Sequence, residues 1–208
     1  MIKLILIGAG GHSKVVQDII AENKDLKLHA ILDDSLYETV EVDDVIYSST
    51  RMLDSLQQED YKYCIAIGSN HIRKKIFEKL SIPMNQYITL IHPSAVISKT
   101  AKIGNGTVVM PNVVINADSV IGNQTIINTG SIVEHDNLLK DYVHVSPSAT
   151  LTGTVSVGEG THIGAGAVVI PGKRIGSWST IGAGGVVIDN ITDNITVVGT
   201  PAKPYRKL

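Results

Sequence analysis

Hydrophobic and polar positions follow two different rules along this 208-residue chain. In the first part, short apolar runs alternate with helix-like ones. "MIKLILIG" (1–8) reads as a buried strand, and "HSKVVQDIIAE" (12–22) as a helix with Val15, Val16, Ile19 and Ile20 on one face. "KLHAILDD" (27–34) is a second strand ending in two acids, "TRMLDSLQQED" (50–60) a second helix, "YKYCIAIGS" (61–69) a third strand and "NHIRKKIFEKL" (70–80) a third helix. Strands alternating with helices predict a small parallel sheet of the Rossmann type.

From Ile91 onward the period changes. Steps of six give Ile91, Ile97, Ile103, Val109, Ile115, Ile121, Ile127, Val133, Leu139, Val145, Leu151, Val157, Ile163, Val169, Ile175, Ile181 and Val187, seventeen aliphatic residues in unbroken succession. Two places before most of them stands a small or modest residue such as Ala95, Thr107, Ser131, Ala149 or Ser179, with Lys173 as a misfit. A period of six suits neither a helix nor a hairpin array, and a β-sandwich would not hold it for 97 residues, 91–187. It suits a solenoid whose every strand and corner uses six residues. Gly104 and Gly122, Gly158 and Gly176, and Gly164 and Gly182 are each 18 apart, so three hexads make one coil. At the ~4.8 Å spacing of strands, five to six coils form a prism roughly 25 Å tall. The expected organisation is an α/β domain over 1–85 followed by an all-β prism and tail over 86–208.

Charge sharpens the division: residues 1–90 hold 23 Asp, Glu, Lys and Arg, and the similar length 91–188 only 10. A net charge of −2 without a basic run offers no footprint for nucleic acid. No stretch approaches the ~18 apolar residues that span a bilayer, and the first residues lack the regions of a signal peptide, so the expected place is the cytoplasm. The one cysteine, Cys64, falls in an alternating apolar run and is expected to pack in a core rather than act as a nucleophile.

Two stretches carry candidate chemistry. In "SIVEHDNLL" (131–139) His135 lies two residues after an inward Val133 and is flanked by Glu134 and Asp136. A carboxylate accepting from one imidazole nitrogen fixes the tautomer and leaves the other nitrogen free, and more basic, to take a proton. His144 precedes the inward Val145, so strand alternation turns it outward, one and a half hexads from His135 and on a different face. His162 stands one coil above it, as an expected surface position. No two histidines are five apart, the spacing of the zinc ligands in gamma-class carbonic anhydrases, so no metal is expected. The second stretch, "GAGGHS" (8–13), closes the first strand and opens the first helix, where glycines and the helix N-terminus can approach a phosphate or ribose. Asp33 and Asp34 end the second strand and can accept from ribose hydroxyls or base N–H groups. Ser13 stands where a dinucleotide fingerprint has its third glycine, and no second half of a doubly wound sheet follows, which argues against a dehydrogenase. Arg73, Lys74 and Lys75 read as an exposed helical face.

"LILIGAGGHSKVV", "ILDD", "AIGSNHIRKKI", the hexads, "EHD" and the closing "VGTPAK" together resemble the bacterial hexapeptide-repeat sugar acyltransferases of the sialic acid O-acetyltransferase and nucleotide-sugar N-acetyltransferase group. The resemblance implies a left-handed parallel β-helix after the Rossmann-like domain, a homotrimer with its active site between subunits, and acetyl-CoA as co-substrate. It implies His135 as general base with Asp136 tuning it, and His144, Gly153, Ala165 and Ala183 along acetyl-CoA. A sugar-nucleotide is implied at Gly10, Gly11, His12, Asp33, Asp34 and Gly68. Lys203, Arg206 and Lys207 of the tail are candidates for the CoA phosphates. The expected activity is acetylation of an amino group on a nucleotide-activated 4-amino-deoxysugar. O-acetylation of a sugar such as sialic acid is the alternative within the fold, and a silent β-helical scaffold or sugar-nucleotide sensor the alternative outside it.

Overall fold

The structure, a computed structural model, describes residues 1–56 and 61–205. The first strand, β1 (Ile2–Ile7), is apolar enough to be sheathed on both faces, and it lies inside a five-stranded sheet with a neighbour on either side. The sheet order is β3-β4-β2-β1-β5, with β2 at Leu26–Leu32, β3 at Val40–Val42, β4 at Val45–Ser48 and β5 at Tyr61–Ile65. All neighbours are parallel except β3, which runs against β4. The β3–β4 hairpin is absent from the sequence reading. Its signal is the Asp43–Asp44 pair between alternating apolar positions, and both acids take the positive φ that a two-residue turn requires.

Side-chain alternation divides the sheet's two faces. Leu4 and Leu6 pack with Val16 and Ile19 of α1 (Gly11–Ala21) in a cluster that continues without a break into the prism. Ile5 and Ile7 face a second cluster with Tyr63, Leu53 and Tyr87. Val15, expected on the buried face of α1, is 36% exposed, and Ser13 is buried in its stead. α2 spans Asn70–Leu80, as the sequence predicts. The expected helix at 50–60 is a 3-10 helix over Thr50–Ser55, and its residues 57–60 lie outside the described ones. Leu53 and Leu56, three apart, are the buried pair there, a spacing that eclipses side chains in the tighter helix.

The prism consists of seventeen two-residue strands from Leu90–Ile91 to Val186–Val187. Each up to Val168–Val169 pairs in parallel with the strand 18 residues on, as Val114 with Ile132, Ile126 with His144 and Leu138 with Ser156. From Val109 to Val187 every hexad position is at most 2% exposed. Ile91 is 39% exposed and Ile97 and Ile103 are half-buried, because the first coil has no coil beneath it. Every corner from Gly106 to Gly184 contains one residue with φ between +52° and +71°, again at steps of six. Nine of these fourteen residues are glycine, asparagine or aspartate, the types that enter the left-handed conformation most readily, while Gln124, Tyr142, Ser148, Thr154 and Trp178 also hold it.

The three outer faces differ. The one carrying Leu90, Val108, Ile126 and His144 is buried under the α/β domain. Another shows Val96, Val114, Ile132, Thr150, Val168 and Val186, an almost wholly apolar row. The third shows Lys102, Val120, Leu138, Ser156 and Arg174.

Candidate functional site

His135 and Asp136 form the corner between the apolar and the mixed face. Asp136 is the left-handed residue of that corner, at φ +58°, and its Oδ2 lies 2.7 Å from His135 Nδ1. This bond raises the imidazole above its ordinary pKa, and the nearby charges of Asp136 and Glu134 add to the effect. Both side chains are more than half exposed. One coil above, Gly153 faces the ring: a Cβ built there would stand 2.6 Å from His135 Nε2 and 2.7 Å from Cε1. The corner is fastened from inside by Asn137, which is 1% exposed. Its Nδ2 donates to the carbonyls of Glu134 (2.6 Å) and Thr152 (3.0 Å), and its Oδ1 accepts from the Val155 amide at 3.2 Å. The sequence reading passed over Asn137, although it stands where other coils carry small side chains.

Ala165 and Ala183 are stacked at the other edge of the apolar face, both exposed, and the Gly184 amide donates to the Ala165 carbonyl at 2.8 Å. One chain therefore does not bring them to His135. His144 requires a correction. It does turn out of the prism, but it is 8% exposed because the α/β domain covers it. The Thr129 amide donates to Asn128 Oδ1 at 2.8 Å, which aims Asn128 Nδ2 at His144 Nε2, 3.1 Å away. Nε2 must then accept, and the proton lies on Nδ1, 3.3 Å from the Gly68 carbonyl. Burial, with the charges of His162, Arg73 and His12, pushes His144 down to about 3. The neutral ring has both nitrogens engaged within the chain. His162 pairs with His144 in register, half-buried, with Nε2 3.0 Å from Ser146 Oγ.

The six residues expected at a sugar-nucleotide, Gly10, Gly11, His12, Asp33, Asp34 and Gly68, all line one cavity of about 370 Å³, with Ile72 and Ile76 of α2 as apolar wall. None of the three glycines has a positive φ, and a Cβ at any of them would meet nothing within 4 Å. Neither backbone conformation nor packing within the described residues demands glycine at these three positions. Asp33 Oδ2 accepts from the Ala9 amide (2.8 Å) and Oδ1 from the Ser35 amide (2.9 Å), so this acid ties the glycine loop to the end of β2. Burial pushes its carboxyl up, but the Ser35 and Ala9 bonds outweigh burial and leave it below its ordinary value. Asp34 is held down by the Thr50 hydroxyl and by Lys79, whose Nζ is 3.1 Å away. His12 is pushed down to about 4 by burial and by Arg73, and its Nε2 has no partner among the described residues.

Two residues contradict the expected exposed basic face. Arg73 is 1% exposed, while Lys74 spans Glu159 (2.6 Å) and the rings of Tyr142 and Trp178; Lys75 alone is open to solvent. Cys64 is wholly buried with its thiol pushed up to about 12, so it packs and does not carry an acyl group. Lys203 lies 3.7 Å from Asp189, and Arg206 and Lys207 lie outside the described residues. Among the described residues no three His, Cys, Asp or Glu side chains converge as metal ligands would, and no helix is long and apolar enough to cross a membrane.

Residues 3–80 match the family described as the PglD N-terminal domain. Over the whole length the chain superposes on a histidine-to-asparagine variant of perosamine N-acetyltransferase from Caulobacter crescentus in complex with CoA and GDP-perosamine. The TM-score is 0.90 at 37% identity, covering 99% of this chain and 97% of that one. The chain belongs to the bacillosamine-type sugar acetyltransferases. The acetyltransferase domain of PglB from Neisseria gonorrhoeae FA1090 is similar as well, at TM-score 0.88 and 38% identity over 99% of this chain and 100% of that one. UDP-N-acetylbacillosamine N-acetyltransferase of Bacillus subtilis (strain 168) is 46% identical over 112 residues, 52% of this chain. That match spans 51% of the curated relative's length. The architecture shared with these sugar acetyltransferases is a Rossmann-like α/β domain followed by a left-handed β-helix.

Proposed function

We propose that this chain transfers the acetyl group of acetyl-CoA to the amino group of a nucleotide-linked 4-amino-deoxysugar, with His135 as general base. The observation that carries the reading is the His135–Asp136 pair at an open corner, with Nε2 beside the position where Gly153 has no Cβ. Asp136 accepts the Nδ1 proton, so the lone pair stands on Nε2. As the sugar amine attacks the thioester carbonyl, Nε2 takes a proton from the nitrogen; the C–S bond then breaks and the CoA thiolate leaves, to be protonated in turn. A histidine in this role contributes about 10²- to 10⁴-fold, and holding both substrates in one complex supplies proximity. The relatives support the substrates: one is named for UDP-N-acetylbacillosamine, one holds CoA with GDP-perosamine and one holds acetyl coenzyme A.

The nucleotide sugar occupies the cavity of Gly10, Gly11, His12, Asp33, Asp34 and Gly68 in this reading, and acetyl-CoA runs along Gly153, Ala165 and Ala183. His144 is given no donor role, since both its nitrogens are engaged. The apolar row between the His135 and Ala165 edges is the surface on which copies of the chain pack into a cytoplasmic trimer, so that His135 of one protomer faces the alanine edge of the next.

The test is free thiol released from acetyl-CoA with a panel of UDP- and GDP-linked 4-amino sugars, sialic acid and its nucleotide form. Turnover with one 4-amino sugar, lost about 10²- to 10⁴-fold in His135→Ala, is the expected result. Turnover with hydroxyl acceptors alone would transfer the reading to O-acetylation, and silence across the panel would leave a scaffold.

A further inference from the structure

Among the described residues Arg73 is the largest fully buried side chain, and all its hydrogen-bond partners are neutral. Nε donates to the Gln124 carbonyl (2.7 Å), Nη1 to those of Ile67 (3.0 Å) and Gly68 (3.3 Å), and Nη2 to Asn70 Oδ1 and the Tyr142 carbonyl, each 2.9 Å away. Among the described residues no carboxylate comes within 4.0 Å of it. Buried cations are ordinarily paired with an anion. An unpaired one beside a cavity calls for a reason.

The reason lies in the peptides it grips. In a trans peptide the C=O and the following N–H point in opposite directions. With the Ile67 and Gly68 carbonyls turned to the guanidinium, the amides of Gly68 and Ser69 point away from it, and neither donates to any acceptor among the described residues. Gly68 lines the cavity whose facing wall is the start of α1 at Gly10, Gly11 and His12. The same guanidinium holds the carbonyls of Gln124 and Tyr142, 18 residues and hence one coil apart, so the loop is set in register with the prism that bears His135. Asn70 reinforces the docking by donating to the Gly160 and Thr161 carbonyls at 3.0 and 3.3 Å.

We infer that Arg73 is a positioning residue for the diphosphate of the nucleotide sugar: it aims the Gly68 and Ser69 amides at the phosphate oxygens, and its unpaired charge is offset by theirs. The inference rests on the nucleotide-sugar reading of the cavity and adds to it a residue that never touches the ligand. The charge is felt across the loop, since Arg73 is one of the two causes that keep His12 neutral.

Calorimetry on the intact chain tests it, with uridine, guanosine, UDP, GDP and inorganic pyrophosphate as titrants. The quantity to read is the ratio of nucleoside to nucleoside diphosphate dissociation constants, the share of affinity that comes from phosphate. In Arg73→Met this ratio is expected to fall about tenfold or more while nucleoside affinity stays within about twofold, and Arg73→Lys should recover part of it. A merely structural residue would weaken nucleoside and diphosphate together and leave the ratio standing, which would overturn the inference. Should Arg73→Met fail to fold, Asn70→Asp sets a carboxylate against Nη2 while Arg73 remains, and a ratio that does not drop there overturns it equally. On the unaltered chain pyrophosphate must compete with UDP or GDP; if it does not, Arg73 has no such role even though the nucleotide reading stands. If no nucleoside diphosphate binds at all, the nucleotide reading itself falls.

Discussion

Gly153 and His135 meet across one coil of the prism: the missing Cβ of the glycine would lie 2.6 Å from the imidazole Nε2. The ring and not the backbone calls for glycine there, since its own φ is not positive. Gly153→Ala should leave the coil folded and displace His135. A shift of about 1 Å in a reacting group can reduce turnover about 10²-fold. Steady-state rates together with an unchanged melting temperature would bear this out, and an undiminished kcat would show that the ring has freedom to spare.

Asp136 serves two needs, the left-handed corner and the imidazole. Asparagine tolerates the same φ, so Asp136→Asn isolates the second. The hydrogen bond to the aspartate raises the His135 pKa, and a base acts only when deprotonated. The acid limb of the kcat/KM profile should therefore lie above the ordinary histidine range in the unaltered chain. In Asp136→Asn it should move to lower pH as the rate drops. A limb that stays in place would mean that another group titrates.

Gly11→Ala separates fold from ligand. The new methyl meets nothing within 4 Å and sits in the first turn of α1, where alanine favours the helix by ~0.5 kcal/mol or more. Stability should hold or rise, while affinity for UDP or GDP falls about tenfold or more, since overpacking costs about 1–3 kcal/mol. Equal affinity in both chains would empty the cavity of its assigned role.

Assembly is tested on the apolar face. Val168→Glu places a charge in the row from Val96 to Val186, one coil from its Val186 end. Sedimentation should show monomers without acetyl transfer, because His135 and Ala165 lie at opposite edges of that face. A trimer that survives the substitution packs by another surface.

Acid should loosen the join between the two parts. His144 and His12 are neutral down to about 3 and about 4 when folded, against 6.5 in the unfolded chain. Between roughly pH 4 and 6.5 the unfolded chain binds more protons, so stability rises with pH and is lost as pH falls, by at most about 1.4 kcal/mol per pH unit for each histidine. His144→Asn keeps a donor near the Gly68 carbonyl and cannot titrate, so urea unfolding between pH 7 and 4.5 should show a shallower slope. An identical slope would acquit His144.

What the sequence determined by itself is whatever each coil must satisfy locally. The inward row from Val109 to Val187, the left-handed corners and the His135–Asp136 contact all follow from neighbours a few residues apart or one coil away. The glycines at 10 and 11 were legible for a similar reason: they stand where the first strand ends and the first helix starts, where a parallel sheet gathers its open cavity, whereas Gly68 was reached only through the family resemblance. Only the tertiary structure decided how the α/β domain sits on the prism. Arg73 finds its partners 51 and 69 residues away and Asn70 90 residues away, and His144 is covered by a loop 76 residues before it. A helical pattern of "NHIRKK" reveals which side of α2 is charged, but not that one of those charges is buried under neighbouring carbonyls. That depends on which surfaces meet when two separately patterned units dock, and no local period encodes it.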